Sequence, residues 1–331
     1  MGFGTAATTT RTVATTVALL LLAACTTYVP LATDVRDADA LPTDTAEGGV
    51  PLERLPMLVT DDAEEREHAH FVVRELSVPS PVDPAESIAF EYYDVDGDER
   101  TPVVVLLPIF NGQLAIPRFF ARYFANQGWA AVVVVRGRDP LAAIAAPEAM
   151  VQSNLKDYRR VLDWIEQEPE LDVSRIGVFG VSLGAMDAVM LAALDERVNA
   201  LVIAMAGGDL PYLLLNTNYR RVVRSINDIA ASQGTSREAL GARLDADIKT
   251  DPLTLARYID PERVFMIITR TDAIIPFEAQ QELRASLGSP ETLYLITGHR
   301  PSVVFFPKVR SAAFEFFTRR FAEQHVALAM N

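Results

Sequence analysis

The sequence predicts an α/β fold: a mostly parallel central sheet with helices on both faces and one helical insert. Three observations predict it. Short β-branched runs alternate with amphipathic helical patterns along most of the chain, which calls for parallel strands joined by crossover helices. Several runs, such as 103–107 and 130–135, are apolar throughout, as strands covered on both faces are. One run, 176–181, leads straight into Gly180-Val181-Ser182-Leu183-Gly184 and then into a helical pattern.

Residues 1–24 read as a targeting segment and stand outside the fold. Arg11 is the only charged side chain before the apolar run 17–24, which ends Leu22-Ala23-Ala24-Cys25. That ending resembles the signal peptide and lipobox of a bacterial lipoprotein. The resemblance implies cleavage before Cys25 and lipid on its thiol. Cys25 is the only cysteine of the chain, so an internal disulfide is excluded. The apolar run is short for a bilayer span, and lipid on Cys25 would anchor the protein to a membrane without one. Thr26 follows where an aspartate would, in the enterobacterial pattern, retain the protein at the inner membrane. The resemblance therefore implies the cell envelope, at the periplasmic face of the outer membrane. Residues 25–50 read as a disordered tether: scattered Asp, Thr, Ala, Pro and Gly without periodicity cannot bury enough apolar surface to offset their ordering entropy.

The folded part is then 51–331, a length suited to one domain. Runs 71–76 and 87–93 read as opening antiparallel strands, and 103–107 and 130–135 as buried ones. Between the latter, 116–127 reads as a helix anchored by Phe119, Phe120, Tyr123 and Phe124 and closed by Gly128. Residues 153–168 repeat Leu155, Tyr158, Leu162 and Ile165 at helical spacing, with Pro169 after the stop. Strands follow at 176–181, 198–205, 264–269 and 292–296, and Phe314, Phe317 and Phe321 mark a closing helix. Residues 207–260 are too long for a simple crossover. They carry helical patterns at 211–231 and 237–248, split by Gly234, and read as an insert over the carboxyl edge of the sheet, where open α/β sheets bind ligands.

Acidic residues outnumber basic ones 44 to 30, for a formal net charge of −14. That balance argues against nucleic acid or anionic lipid headgroups as partners. No phosphate loop or dinucleotide fingerprint is present, and neither a metal nor an organic cofactor is expected. His68 and His70, with Glu64 and Glu65, have metal-ligand types without a third spaced ligand, and read as a solvated stretch.

Gly-x-Ser-x-Gly between a strand and a helix gives Ser182 a strained turn at a helix N-terminus, where free N–H groups and the helix dipole favour developing negative charge. Residues 70–325 thereby resemble the α/β-hydrolase family, in the branch of dienelactone hydrolase-like and serine esterase-like proteins. The resemblance implies an order of nucleophile, acid and base. Asp272, just past strand 264–269 and followed by Ala273-Ile274-Ile275-Pro276, is similar to the acid loop; Asp209, after the preceding strand, is a rival. His299 follows the last strand as Thr297-Gly298-His299 and takes the base position. The oxyanion hole would combine the N–H of Leu183 with one from Pro108-Ile109-Phe110, where many relatives have His-Gly. Proline cannot donate, so Phe110 is the expected second donor, with Ile109 the alternative. Arg136 and Arg138, past a strand end near the site, face either an anionic substrate group or solvent. The resemblance implies a serine hydrolase acting on a small or lipid-like ester through an acyl-enzyme. The same triad serves peptidases and thioesterases, and a fold relative that only binds is the reading outside catalysis.

Overall fold

The computed structural model describes residues 25–33, 36–41, 59–61, 66–97 and 99–329. The signal segment 1–24 and the pair Glu64 and Glu65 lie outside the described residues. Its strands are β1 (Thr26–Val29), β2 (Thr60–Asp61), β3 (Arg66–Glu67), β4 (Val72–Pro79), β5 (Ser87–Asp94), β6 (Thr101–Leu106), β7 (Ala130–Val134), β8 (Leu171–Val181), β9 (Ala200–Ala204), β10 (Val264–Thr269) and β11 (Glu291–Leu295). They form one sheet in the order β1-β11-β10-β9-β8-β6-β7-β5-β4-β2, with β3 also on β4. From β7 through β11 every neighbouring pair is parallel; β4, β5 and β1 join antiparallel. The apolar runs explain this centre, since β6, β7, β9 and β10 are buried along their whole length.

Helices cover both faces: α1 (Ala115–Asn126), α2 (Pro147–Ile165), α3 (Leu183–Leu194), α4 (Leu210–Asn216), α5 (Arg220–Ser232), α6 (Arg237–Asp247), α7 (Pro252–Leu255), α8 (Phe277–Ser286) and α9 (Phe306–Ala329). Aromatic rings from α1 and α9 fill one side, where Phe124 meets Phe317 at 5.9 Å and Phe120 meets Phe179 at 4.4 Å. Gly177 lets α9 in, because a Cβ there would sit 2.8 Å from the Phe317 ring. On α2, Trp164 packs on Phe90 and Tyr92 at 4.7 and 5.2 Å.

Boundaries differ from the sequence pattern in several places, two of them instructive. Helix α2 starts at Pro147, a residue pre-organised for a first helical turn, and not near Ser153. The first insert helix is two helices, α4 and α5, separated by residues 217–219, with Asp209 capping α4 through the Tyr212 N–H at 3.0 Å.

The tether expected over 25–50 is corrected in its described parts. Thr26–Val29 pairs with Thr292–Leu295, and the Ile296 N–H extends the ladder to the Cys25 carbonyl at 2.9 Å. The Arg36 guanidinium donates to the carbonyl oxygens of Arg257 and Ser286, each at 2.7 Å, and the Asp39 N–H donates to the Arg257 carbonyl at 3.0 Å. Four β-forming residues are too few to show a period in sequence. What orders them is the bare edge of β11, whose N–H and C=O groups need partners.

Candidate active site

The carboxyl ends of β8, β10 and β11 converge on one cavity of about 400 Å³. Ser182 sits at the end of β8 with φ 58° and ψ −123°, outside the regions open to ordinary side chains. The surrounding structure holds it there. Its N–H donates to the Ala204 carbonyl at 2.9 Å, and its own carbonyl accepts from Ala185 at 2.9 Å and Met186 at 3.2 Å as α3 begins. The flanking glycines are sterically required. A Cβ on Gly180 would lie 2.3 Å from the Gly184 carbonyl oxygen, and one on Gly184 would lie 2.7 Å from that of Leu107. Leu183 is the first residue of α3, so its N–H belongs to a helix start without an intrahelical acceptor.

Asp272 and His299 are brought together. His299 Nδ1 and Asp272 Oδ2 are 2.8 Å apart, with the carboxylate side chain wholly buried and the imidazole 16% exposed. Asp272 Oδ1 accepts the N–H groups of Ile274 at 2.8 Å and Ile275 at 3.0 Å, and Oδ2 also accepts from the Thr269 hydroxyl at 2.9 Å. Every lone-pair direction of the carboxylate is thus used, which fixes its plane and, through it, the imidazole. The two loops are tied to each other: the Thr271 N–H donates to the Thr297 carbonyl at 3.1 Å. Gly298 permits this approach, since a Cβ there would stand 3.0 Å from the Thr271 carbonyl oxygen. His299 and Ser182 line the same cavity.

The family model that matches the chain is the X-Pro dipeptidyl-peptidase (S15) family, over residues 39–281. The chain belongs to that family. The matched span carries Ser182 and Asp272, and His299 lies beyond it. Solved structures share the fold. The chain is similar to an acetyl xylan esterase from Paenibacillus sp. R4, at 17% identity and a TM-score of 0.61, over 81% of this chain and 92% of that one. It is also similar to acetyl xylan esterase 1 from a Thermoanaerobacterium species, at 15% identity and TM-score 0.64, covering 88% and 95%. An acylaminoacyl peptidase from Pyrococcus horikoshii matches at 16% identity and TM-score 0.58, over 80% of this chain and 45% of that one. A curated relative, an uncharacterized 31.7 kDa protein of the traX-finO intergenic region of Escherichia coli, is 30% identical over 134 residues. That match covers 38% of this chain and 45% of the relative, so the chain spans about half the length of the curated relatives it matches. The chain is thus a member of the S15 family on an α/β-hydrolase fold.

Around this cavity, several residues differ from the sequence reading or were missed by it. Asp209 faces away from the histidine role: its side chain caps α4, and its own N–H donates to Asp251 Oδ1 at 3.0 Å. Arg136 is neither a substrate clamp nor solvated, its side chain being 4% exposed. Its Nε donates to the Ile109 carbonyl at 3.1 Å and its Nη2 to the Pro108 carbonyl at 2.7 Å. In a trans peptide the C=O and the next N–H point opposite ways. Holding the Ile109 oxygen therefore aims the Phe110 N–H away from the guanidinium. Asp187 on α3 stands 3.5 Å from Arg136 and accepts from the Tyr158 hydroxyl at 2.9 Å. Burial pushes the Asp187 carboxyl up, against the opposing pull of Arg136 and Tyr158. Arg138 pairs with Asp157 and, at 3.1 Å, with Glu86.

Gln280 on α8 was invisible to motif reasoning. Its side-chain oxygen accepts the Thr269 N–H at 3.1 Å and its amide donates to the Ile275 carbonyl at 2.9 Å, bracing both ends of the loop that carries Asp272. The Ser302 hydroxyl likewise braces the next loop, 2.6 Å from the His299 carbonyl. His68 stacks on Phe71 at 4.6 Å, and among the described residues no group of three His, Cys, Asp or Glu is placed to hold a metal.

The cavity wall is apolar. Ile109, Phe110, Met186, Leu213, Leu214 and Val303 contribute to it, and insert helices α4 and α5 supply one side. Among the described residues, none that lines the cavity is Asp or Glu.

Proposed function

We propose that the protein is a carboxylic ester hydrolase that works through an acyl-enzyme on Ser182. The observation that carries this reading is the buried 2.8 Å pairing of His299 Nδ1 with Asp272, in the cavity that Ser182 lines. With Nδ1–H committed to Asp272, Nε2 is the free lone pair that accepts the Ser182 proton as Oγ attacks the acyl carbon. The oxyanion forms against the N–H groups of Leu183 and Phe110. His299 then protonates the departing alkoxide, and water repeats the cycle on the acyl-enzyme.

Esters are favoured over X-Pro dipeptides by the lining itself. A dipeptidyl substrate brings a free ammonium into the pocket, and burying an unpaired charge is costly. Among the described residues the wall offers it no carboxylate and includes Arg300, whereas most of the lining is apolar surface that suits an acyl chain. The test is a fluorophosphonate probe followed by paired substrates. Labelling should require Ser182 and His299, and nitrophenyl esters should turn over where X-Pro nitroanilides do not. Faster cleavage of the nitroanilide would overturn the ester reading and leave the serine mechanism standing.

The chain ending Leu22-Ala23-Ala24-Cys25 supports a second part of the reading: lipid on Cys25 anchors the enzyme at the periplasmic face of the outer membrane. Mass spectrometry of the mature protein should find an acylated amino-terminal Cys25.

A further inference from the structure

The anchor residue and the cavity open at the same end of the sheet. β1 runs antiparallel to β11, so its beginning lies at the carboxyl end of β11, and the Cys25 carbonyl accepts the Ile296 N–H at 2.9 Å. His299 is three residues further on, within about 11 Å along an extended chain. No slack separates Cys25 from the fold, because the strand starts at Thr26.

The surface beside this point is unusual in two ways. Ile296, Val303 and Val304 are 52%, 53% and 58% exposed, the three most exposed large aliphatic side chains among the described residues, and Val303 also lines the cavity. Exposed apolar side chains on a segment that also lines a pocket mark an interaction surface. In addition, residues 296–314 contain no Asp or Glu in a chain that has 44 of them. They carry the exposed Arg300, which lies over the Tyr219 ring, and Lys308, which bonds the Thr26 hydroxyl. Residues 296–314 are thus a local exception to the net charge of −14 that argued against anionic headgroups.

We propose that this face is a membrane-docking surface, which presses the cavity mouth against an anionic bilayer so that acyl esters enter from the lipid. The proposal rests on the anchored-esterase reading. The lipid on Cys25 brings the face to the bilayer, Ile296, Val303 and Val304 enter the headgroup layer, and Arg300 and Lys308 meet phosphate.

The test uses the mature, lipidated protein on vesicles of phosphatidylcholine with phosphatidylglycerol. Acylation blocks Cys25, the only native thiol, so a polarity-sensitive dye can be placed on Val304→Cys or, at the opposite end of β8, on Val173→Cys. The Val304 dye should shift to the blue and be quenched by lipid-borne quencher, and the Val173 dye should stay in water. The double variant Ile296→Asp, Val304→Asp should lose about tenfold on a vesicle-borne long-chain ester, while its turnover of a soluble short-chain ester stays within about twofold. A water-like Val304 dye on an acylated protein overturns the docking face and leaves anchor and esterase intact. So does a dye that shifts with protein concentration in the absence of vesicles, since a second copy then covers the patch. A mature chain without acyl on Cys25 removes the anchor and the docking face together, and soluble-ester turnover reports the esterase separately.

Discussion

Ser182, Asp272 and His299 each stand at a strand end, and that is what made them findable. A strand end fixes where a side chain can reach, and the apolar runs announce the strands. Replacing Ser182 or His299 by Ala should remove nearly all ester hydrolysis. Asp272→Asn should cost about 10⁴-fold in kcat by favouring the wrong imidazole tautomer. Asp209→Asn should be nearly silent in steady-state kinetics, because it keeps a cap on α4; a larger loss there than at Asp272 would transfer the acid role to Asp209. Arg136 was not legible in this way, since its partners are the backbone carbonyls of Pro108 and Ile109, which no residue type announces. Its role as a positioning residue makes a distinct forecast. Arg136→Met should lower kcat by about 10- to 100-fold with KM changed far less, and Arg136→Lys should recover part of the loss. A change in KM alone, or an equal loss in both variants matched by a fallen melting temperature, would reduce Arg136 to a structural bracket.

At the scale of elements, the proposed ester reading gives the insert a part in specificity. Helices α4 and α5 place Leu213, Leu214 and Val222 on the cavity wall. Each methylene an acyl chain buries there is worth about 0.8 kcal/mol, a few-fold in affinity. Short to medium acyl esters should therefore outperform acetate, and the half-buried Leu214→Asp should hurt the longer esters most. Flat specificity from acetate to octanoate, with the variant still folded by circular dichroism, would remove the insert from substrate binding. The helix break at residues 217–219 escaped the sequence because Tyr219 and Val222 keep helical spacing through it. The break becomes necessary only in three dimensions, where the Asn218 N–H is taken by the Ala273 carbonyl at 3.0 Å and tied to the loop of Asp272.

Over the whole molecule, the parallel centre of the sheet is what residue patterns disclosed best, because buried parallel strands are apolar on both faces. Polar contacts buried between layers were disclosed least. Glu91, 2% exposed, is one such contact, held by Arg118 and Arg66 at 2.5 Å each. Burial alone would raise its carboxyl, yet the bonds from Arg118 and Arg66 hold it below the usual range. A depressed folded pKa means stabilisation that is present above the ordinary glutamate range and lost as pH falls through the lower folded value. Glu91→Gln should thus cost about 2 kcal/mol near neutral pH, a figure kept low because both arginines are a third or more exposed. The gap to wild type should narrow in acid denaturation profiles; a gap that widens as pH falls would contradict this account.

The β1–β11 ladder has a consequence for the order in which the molecule comes together. β1 is the first described strand to leave the ribosome and β11 the last, so the earliest piece of sheet has to wait for nearly the whole chain before it has a place. Until then the site is incomplete as well, because the loop that carries His299 follows β11 directly. Assembly of the sheet edge and assembly of the proposed triad are one late event, governed by the strand pairing of largest sequence separation among the described strands. A nascent chain stalled just short of Glu291 should therefore hold a folded centre, an unplaced amino terminus and a serine that does not react.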